Sequence, residues 1–202
     1  MVLMESDSEL GRGDVAPDFE LSGTDGEMYT LDSFDVDALL IVFTCNHCPY
    51  AKAKFDLLNE LAADYDDLAV VGINPNDASK KADDSVEAMR AYVADGTIAY
   101  DAYLRDADGA VAEAYGAVCT PDPFLFGRAD DGSDGDGEGD EDIAGRDEWR
   151  LRYHGRLDDA LSPDEEPTEC YVREAIDSVL AGEDVEVPDR PSRGCSIKWP
   201  EN

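Results

Sequence analysis

Two thiols separated by two residues, Cys45 and Cys48, stand in the segment Phe43-Thr44-Cys45-Asn46-His47-Cys48-Pro49-Tyr50. A pair at this spacing can close a small disulfide without disturbing a helix that begins beside it, and can open again. At a helix N-terminus, unpaired backbone N–H groups and the positive end of the helix stabilise thiolate. Cysteines in that setting have pKa values lowered to roughly 3.5–7.5. His47, if protonated, adds positive charge between the two sulfurs. A depressed pKa raises the thiolate fraction, improves the leaving group and makes the disulfide form more oxidising. Zinc is the competing use of such a pair, but zinc sites generally need a second ligand pair. None follows here, and His154 is the only other histidine. Dithiol–disulfide exchange is therefore the expectation, with Cys45 as the more exposed, attacking thiol and Cys48 as the resolving one. The metal alternative would gather Cys45, Cys48 and His47 with Cys119 or Cys195 around copper(I) or zinc. On the favoured reading no metal and no cofactor is expected.

The neighbouring sequence indicates how the pair is positioned. Ala38 to Phe43 is a continuous apolar run, the pattern of a central strand buried on both faces. Phe55, Leu58, Leu61, Ala62 and Tyr65 recur at helical spacing behind Cys48, with Pro49 tolerable only in the first turn. Leu68 to Ile73 reads as a second buried strand, completing a right-handed βαβ unit. Ahead of these, Ala16 to Leu21 and Met28 to Leu31 read as a hairpin. Asp84 with Glu87 has the form of a capping box for a helix carrying Val86, Met89 and Val93. Ile98 to Leu104 is a candidate strand, and Ala110 to Tyr115 a short helix stopped by Gly116. Cys119-Thr120-Pro121 leads into the strand Pro123 to Phe126, and X-Pro bonds are the main place where cis peptides occur. Trp149, Leu151 and Tyr153 alternate with arginines, as in a strand with one wet face, and Thr168 is read as the cap of a last helix.

Composition narrows the classes. The chain has 202 residues, 43% hydrophobic, enough for one sizeable core, and the expectation is a single domain over 1–202. Asp and Glu number 49 against 16 Lys and Arg, for a formal charge of −33. Such a polyanion repels nucleic acid and anionic membranes, so neither is an expected partner. Adaptation to concentrated salt is the preferred explanation, because screening shortens the Debye length to about 3 Å at 1 M. Residues 128–148 form an acidic Gly/Asp-rich insertion that cannot bury apolar surface and is expected to be flexible. The first ten residues lack a basic and an apolar region, and no run approaches the ~20 apolar residues of a membrane span, which points to the cytoplasm. Five cysteines there are an improbable disulfide framework. Burial is the default for Cys119 and Cys170, and a structural role for His154. Cys195, in a C-terminal tail over 188–202, is open between packing, resolving a disulfide and binding metal.

Taken together these motifs resemble the thioredoxin-like redoxins related to the alkyl hydroperoxide reductase/thiol-specific antioxidant group. Within that group the chain is similar to a subfamily marked by the Phe43–Tyr50 segment and by Gly194-Cys195-Ser196-Ile197-Lys198-Trp199. The likeness also runs through Ala16-Pro17-Asp18-Phe19, Gly72-Ile73-Asn74, Ala114-Tyr115-Gly116, Cys119-Thr120-Pro121 and Tyr153 to Asp159. It implies an α/β thioredoxin fold: a central mixed β-sheet flanked by helices, with the hairpin as an N-terminal extension. It also implies a cis-proline loop, Thr120–Pro121, packed against the dithiol, with Pro121 shaping the substrate groove. Substrates would be a disulfide-bearing protein or small thiol, or a peroxide, with a reducing partner such as a thioredoxin reductase. A thioredoxin-like course has Cys45 attack first; a peroxiredoxin-like one maps the peroxidatic role to Cys48, with Cys45 as the alternative. For the latter an arginine near the thiolate is expected, from among Arg105, Arg128 and Arg156.

Overall fold

A computed structural model describes residues 3–6, 8–128 and 148–201. Among the described residues there are ten strands and five α-helices. They are β1 (Leu3–Glu5), β2 (Leu21–Gly23), β3 (Met28–Tyr29), β4 (Ala38–Phe43), α1 (Pro49–Lys52), α2 (Phe55–Asp64), β5 (Leu68–Asn74), α3 (Val86–Ala94), β6 (Ala102–Arg105), α4 (Ala110–Ala114), β7 (Cys119–Thr120), β8 (Asp122–Arg128), β9 (Trp149–His154), α5 (Tyr171–Leu180) and β10 (Arg193–Ser196).

The all-apolar run over 38–43 is the middle of a seven-stranded mixed sheet of order β3-β2-β6-β5-β4-β8-β9. Strand β4 runs parallel to β5 and antiparallel to β8, and all six of its residues are buried. Its side chains alternate between two cores. Leu39, Ile41 and Phe43 pack with Phe124, Phe126, Tyr115 and Trp149 on one face. Leu40 and Val42 pack with Leu58, Leu61, Val172 and Ile176 on the other. Each such aliphatic side chain contributes roughly 1.5–3 kcal/mol when fully buried, which is why a strand in this position carries no polar residue. The fold is thus the α/β thioredoxin type that the motifs implied, with the β2–β3 hairpin paired through β2 to the β6 edge.

Local differences from the sequence reading have physical causes. The helix after Cys48 is two pieces, interrupted where Lys54 adopts φ −111° and turns its ammonium onto the buried carboxylate of Asp158, 2.6 and 2.8 Å away. The 16–21 segment becomes a strand only at Leu21, although Ala16 N–H donates to the Trp149 carbonyl. The last helix starts after Cys170 instead of Thr168, whose hydroxyl donates to Asp159. Helix α3 is capped by Ser85, whose hydroxyl accepts from Ala88 N–H, and Asp84 points the other way, into the protein. The alternation at Trp149, Leu151 and Tyr153 is present in β9.

A second, three-stranded sheet of order β1-β10-β7 brings the C-terminal segment back over the cysteines. The expected tail is therefore a structural strand: Cys195 is paired in register with Thr120. Only glycine allows this approach at 194, since a Cβ there would stand 1.9 Å from the Thr120 carbonyl oxygen. Beyond the strand, Ile197 N–H donates to the Val118 carbonyl and Lys198 N–H to Asn76 Oδ1. Almost all of the acidic insertion expected over 128–148 lies outside the described residues. Among the described residues no helix is long and apolar enough to cross a membrane.

Candidate active site

Strand β4 ends at Phe43, and Thr44 N–H still donates to the Ile73 carbonyl, so the sheet holds the chain in register up to the first thiol. Cys45, Asn46 and His47 form the turn, and Cys48 precedes Pro49, the first residue of α1. Helix α1 has only four residues, so its dipole is short, and the charge balance at the sulfurs falls mainly to side chains. The peptide bond Thr120–Pro121 is cis. Thr120 Oγ1 lies 3.1 Å from Cys45 Sγ, and its carbonyl oxygen 3.4 Å from Cys48 Sγ. Cys45, Cys48, His47, Thr120 and Pro121 are thus brought to one place.

Two features differ from expectation. Cys45 is fully buried instead of exposed, as are Cys48 and Cys195. The disulfide present joins Cys48 to Cys195, across 147 residues of sequence and 6.2 Å between Cα atoms, and leaves Cys45 as a free cysteine. Strand β10 accounts for both observations, because it carries Cys195 onto Cys48 while pairing with Thr120.

The residue that sequence reasoning missed is Asp84. Its carboxylate is fully buried. Oδ1 accepts from Asn46 N–H at 2.7 Å and from Asn74 Nδ2 at 3.2 Å, and Oδ2 faces His47 Nδ1 at 2.5 Å. Tyr103 donates its hydroxyl hydrogen to Asn46 Oδ1 at 2.9 Å, so the turn between the thiols is held from two sides. Burial works against a charged His47 and is the largest influence on it. The Asp84 carboxylate and the Cys45 sulfur together outweigh it and raise the imidazole from 6.5 to about 9. His47 is therefore an imidazolium at neutral pH, with Nδ1–H given to Asp84 and a buried Nε2 that has no hydrogen-bond partner. Cys45 Sγ, a His47 ring nitrogen and an Asp84 oxygen lie within 4.8 Å of one another, a sulfur–nitrogen–oxygen set of the kind borderline metals accept. The four-ligand set imagined from sequence is not assembled, because Cys48 and Cys195 are bonded to each other.

The remaining candidates separate by their surroundings. Burial pushes the Cys119 thiol well up, with Asp122 and Glu5 adding to it, and burial also raises Cys170. Both are thereby held as thiols. His154 stacks on Phe124 and lies 3.0 Å from the buried Asp122, which also accepts from the Ser6 hydroxyl. Of the arginines, Arg105 donates to the Asn74 carbonyl, Arg128 packs on Trp149 and donates to the Phe34 and Val36 carbonyls, and Arg156 lines a cleft beside Pro121. None of the three is hydrogen-bonded to Cys45 or Cys48.

Residues 12–132 match the model of the AhpC/TSA family. The chain belongs to the AhpC/TSA family. Its solved relatives agree. A hypothetical protein of Sinorhizobium meliloti is 38% identical over 98% of this chain and 99% of that one, with a TM-score of 0.82. An uncharacterised conserved protein of Geobacillus kaustophilus is 35% identical over 100% and 98%, with a TM-score of 0.83. A putative thiol:disulfide interchange protein DsbE from Chlorobium tepidum is 20% identical over 85% and 99%, with a TM-score of 0.55, a likeness of fold alone. No curated protein matches the chain. Family membership and the cysteines gathered at the site make this a thiol-redox protein.

Proposed function

We propose that the protein is a thiol–disulfide oxidoreductase in which Cys45 attacks, Cys48 resolves and Cys195 takes over the resulting disulfide. The observation that carries the reading is the free sulfur of Cys45 beside the cis-proline loop, next to a Cys48 already joined to a third thiol. In the reduced protein the Cys45 thiolate, beside the His47 imidazolium and the Thr120 hydroxyl, attacks one sulfur of a substrate disulfide. A mixed disulfide forms and the other substrate sulfur leaves as thiolate, taking a proton from His47 Nε2. The Cys48 thiolate then attacks Cys45 Sγ and expels the second substrate thiol. Cys195 in turn attacks Cys48 Sγ, and Cys45 leaves as thiolate into the site that His47 and Thr120 stabilise. Two electrons pass from protein to substrate, and an external dithiol returns them. Reduction also frees β10 from its covalent tie, giving substrate a way to the buried Cys45. The test is catalysed reduction of a protein disulfide such as insulin: Cys45→Ser abolishes it on this reading, and full retained activity would refute it.

Complete burial of Cys45 favours a second reading, a thiol peroxidase, because a peroxide is small enough to enter. A thiolate of Cys45, or of Cys48 once reduced, would attack the peroxide O–O bond, leaving sulfenic acid and one water. Condensation with the neighbouring thiol would release a second water and form the disulfide. Peroxide consumption by the reduced protein that outpaces disulfide reduction would move this reading ahead.

A further inference from the structure

Beside Pro121, a small cleft, partly open to solvent, is lined by Tyr50, Lys54, Arg156, Ser192 and Arg193. It adjoins the sulfur site: Tyr50 lies two residues beyond Cys48, and Arg193 leaves β10 on the same face as Cys195. The cleft gathers cations in a chain that has 16 of them against 49 acids. Lys54 is already neutralised by Asp158 at 2.6 Å. Arg156 and Arg193 make no ion pair among the described residues. Seven buried side-chain polar atoms of the described residues lack a hydrogen-bond partner, and three of them, Arg156 Nε, Arg193 Nε and Ser192 Oγ, are on residues that line this cleft. The two guanidinium atoms can only donate, and the hydroxyl can rotate to donate. A buried donor left unpaired costs free energy, and two guanidiniums that line one cleft whose only carboxylate, Asp158, is taken by Lys54 are complementary to one supplied from outside.

We infer that this cleft is a carboxylate subsite, which Arg156, Arg193 and Ser192 form to hold the carboxylate of a small disulfide or thiol while its sulfur faces the cysteines across Pro121. The inference rests on the exchange chemistry for its substrate but on the cleft alone for its ligand. The protein's strong negative charge repels free anions at long range, and this repulsion is screened by salt, so short-range pairing with the two arginines decides recognition.

The experiment compares two disulfides of similar size on the full chain, in high salt, with an external dithiol as reductant. One is neutral, bis(2-hydroxyethyl) disulfide; the other is 3,3′-dithiodipropionate, with a carboxylate at each end. The subsite predicts a kcat/KM for the dicarboxylate roughly tenfold or more above that for the neutral compound, the size of one to two charge-assisted hydrogen bonds. Arg156→Gln and Arg193→Gln each lower that preference about tenfold, and Arg193→Lys restores part of it. Equal kcat/KM values for the two compounds in the unmodified protein overturn the subsite while leaving the exchange chemistry standing. If neither disulfide is turned over, the exchange reading fails and binding decides the subsite separately. Suberate, in which methylenes replace the two sulfurs, should then bind in calorimetric titration and weaken in Arg156→Gln; no binding of suberate by the folded protein refutes the subsite.

Discussion

Replacing Asp84 by Asn removes one negative charge from a fully buried carboxylate without changing its shape. The amide oxygen of the new side chain can still accept from Asn46 N–H, so the backbone of the turn keeps its partner. His47 loses the carboxylate that faces its Nδ1 at 2.5 Å. With that attraction gone, burial dominates, and the imidazole, held at about 9 in the native site, should titrate at or below its ordinary 6.5. A shift of this size corresponds to about 3 kcal/mol between the two protonation states. The sign follows from His47 being raised on folding. Its contribution to stability is fully present below pH ~6.5 and is lost as pH rises through about 9. Asp84→Asn should therefore destabilise the protein most at about pH 6 and progressively less toward about pH 9.5. The chain has two histidines, so the Cε1–H resonances can be followed by NMR through a pH titration, with His154→Gln assigning them. Urea unfolding of both proteins at several pH values gives the stability difference. Titration of His47 near 6.5 in the unmodified protein, or an unchanged midpoint in Asp84→Asn, would show that Asp84 does not hold the imidazolium.

Gly194→Ala should destabilise the protein by about 1–3 kcal/mol through overpacking, since its Cβ would meet the Thr120 carbonyl, and should slow closure of the Cys48–Cys195 disulfide; urea unfolding and timed thiol trapping measure the two effects. Asp158→Asn strands the Lys54 ammonium, 13% exposed, without its partner, and should cost on the order of 3–5 kcal/mol, read from the shift in denaturation midpoint. Cys195→Ser should oxidise to a Cys45–Cys48 disulfide instead, found by peptide mapping under non-reducing conditions; a variant in which Cys48 stays free after oxidation would argue against the proposed transfer.

What could be read from the sequence was what local pattern encodes. The apolar run of β4, the alternation of β9 and the Thr-Pro step each signal through a few neighbouring residues, and the structure contains all three. The thiols announced themselves by spacing. Asp84 did not, because Asp83, Asp84 and Ser85 are all acceptable N-cap types and only tertiary packing decides which one caps and which turns inward to His47, 37 residues away. The Cys48–Cys195 bond was out of reach for the same reason: the position of β10 is set by pairing with β1 and β7, short strands whose partners lie far off in the chain. The partner of Lys54 at the helix break, Asp158, is likewise 104 residues on. Exposure of Cys45 was misjudged because the strand that covers it comes from the opposite end of the molecule's sequence.

The order in which the sulfurs act can be trapped directly. Fully reduced protein would be mixed with one equivalent of 3,3′-dithiodipropionate, quenched with acid at intervals from milliseconds to minutes, alkylated and mapped by mass spectrometry. A substrate adduct should form on Cys45 first, then a transient Cys45–Cys48 disulfide, and finally Cys48–Cys195 with Cys45 free again. A first adduct on Cys48 or Cys195, or a Cys45 that stays alkylatable throughout, would contradict that order.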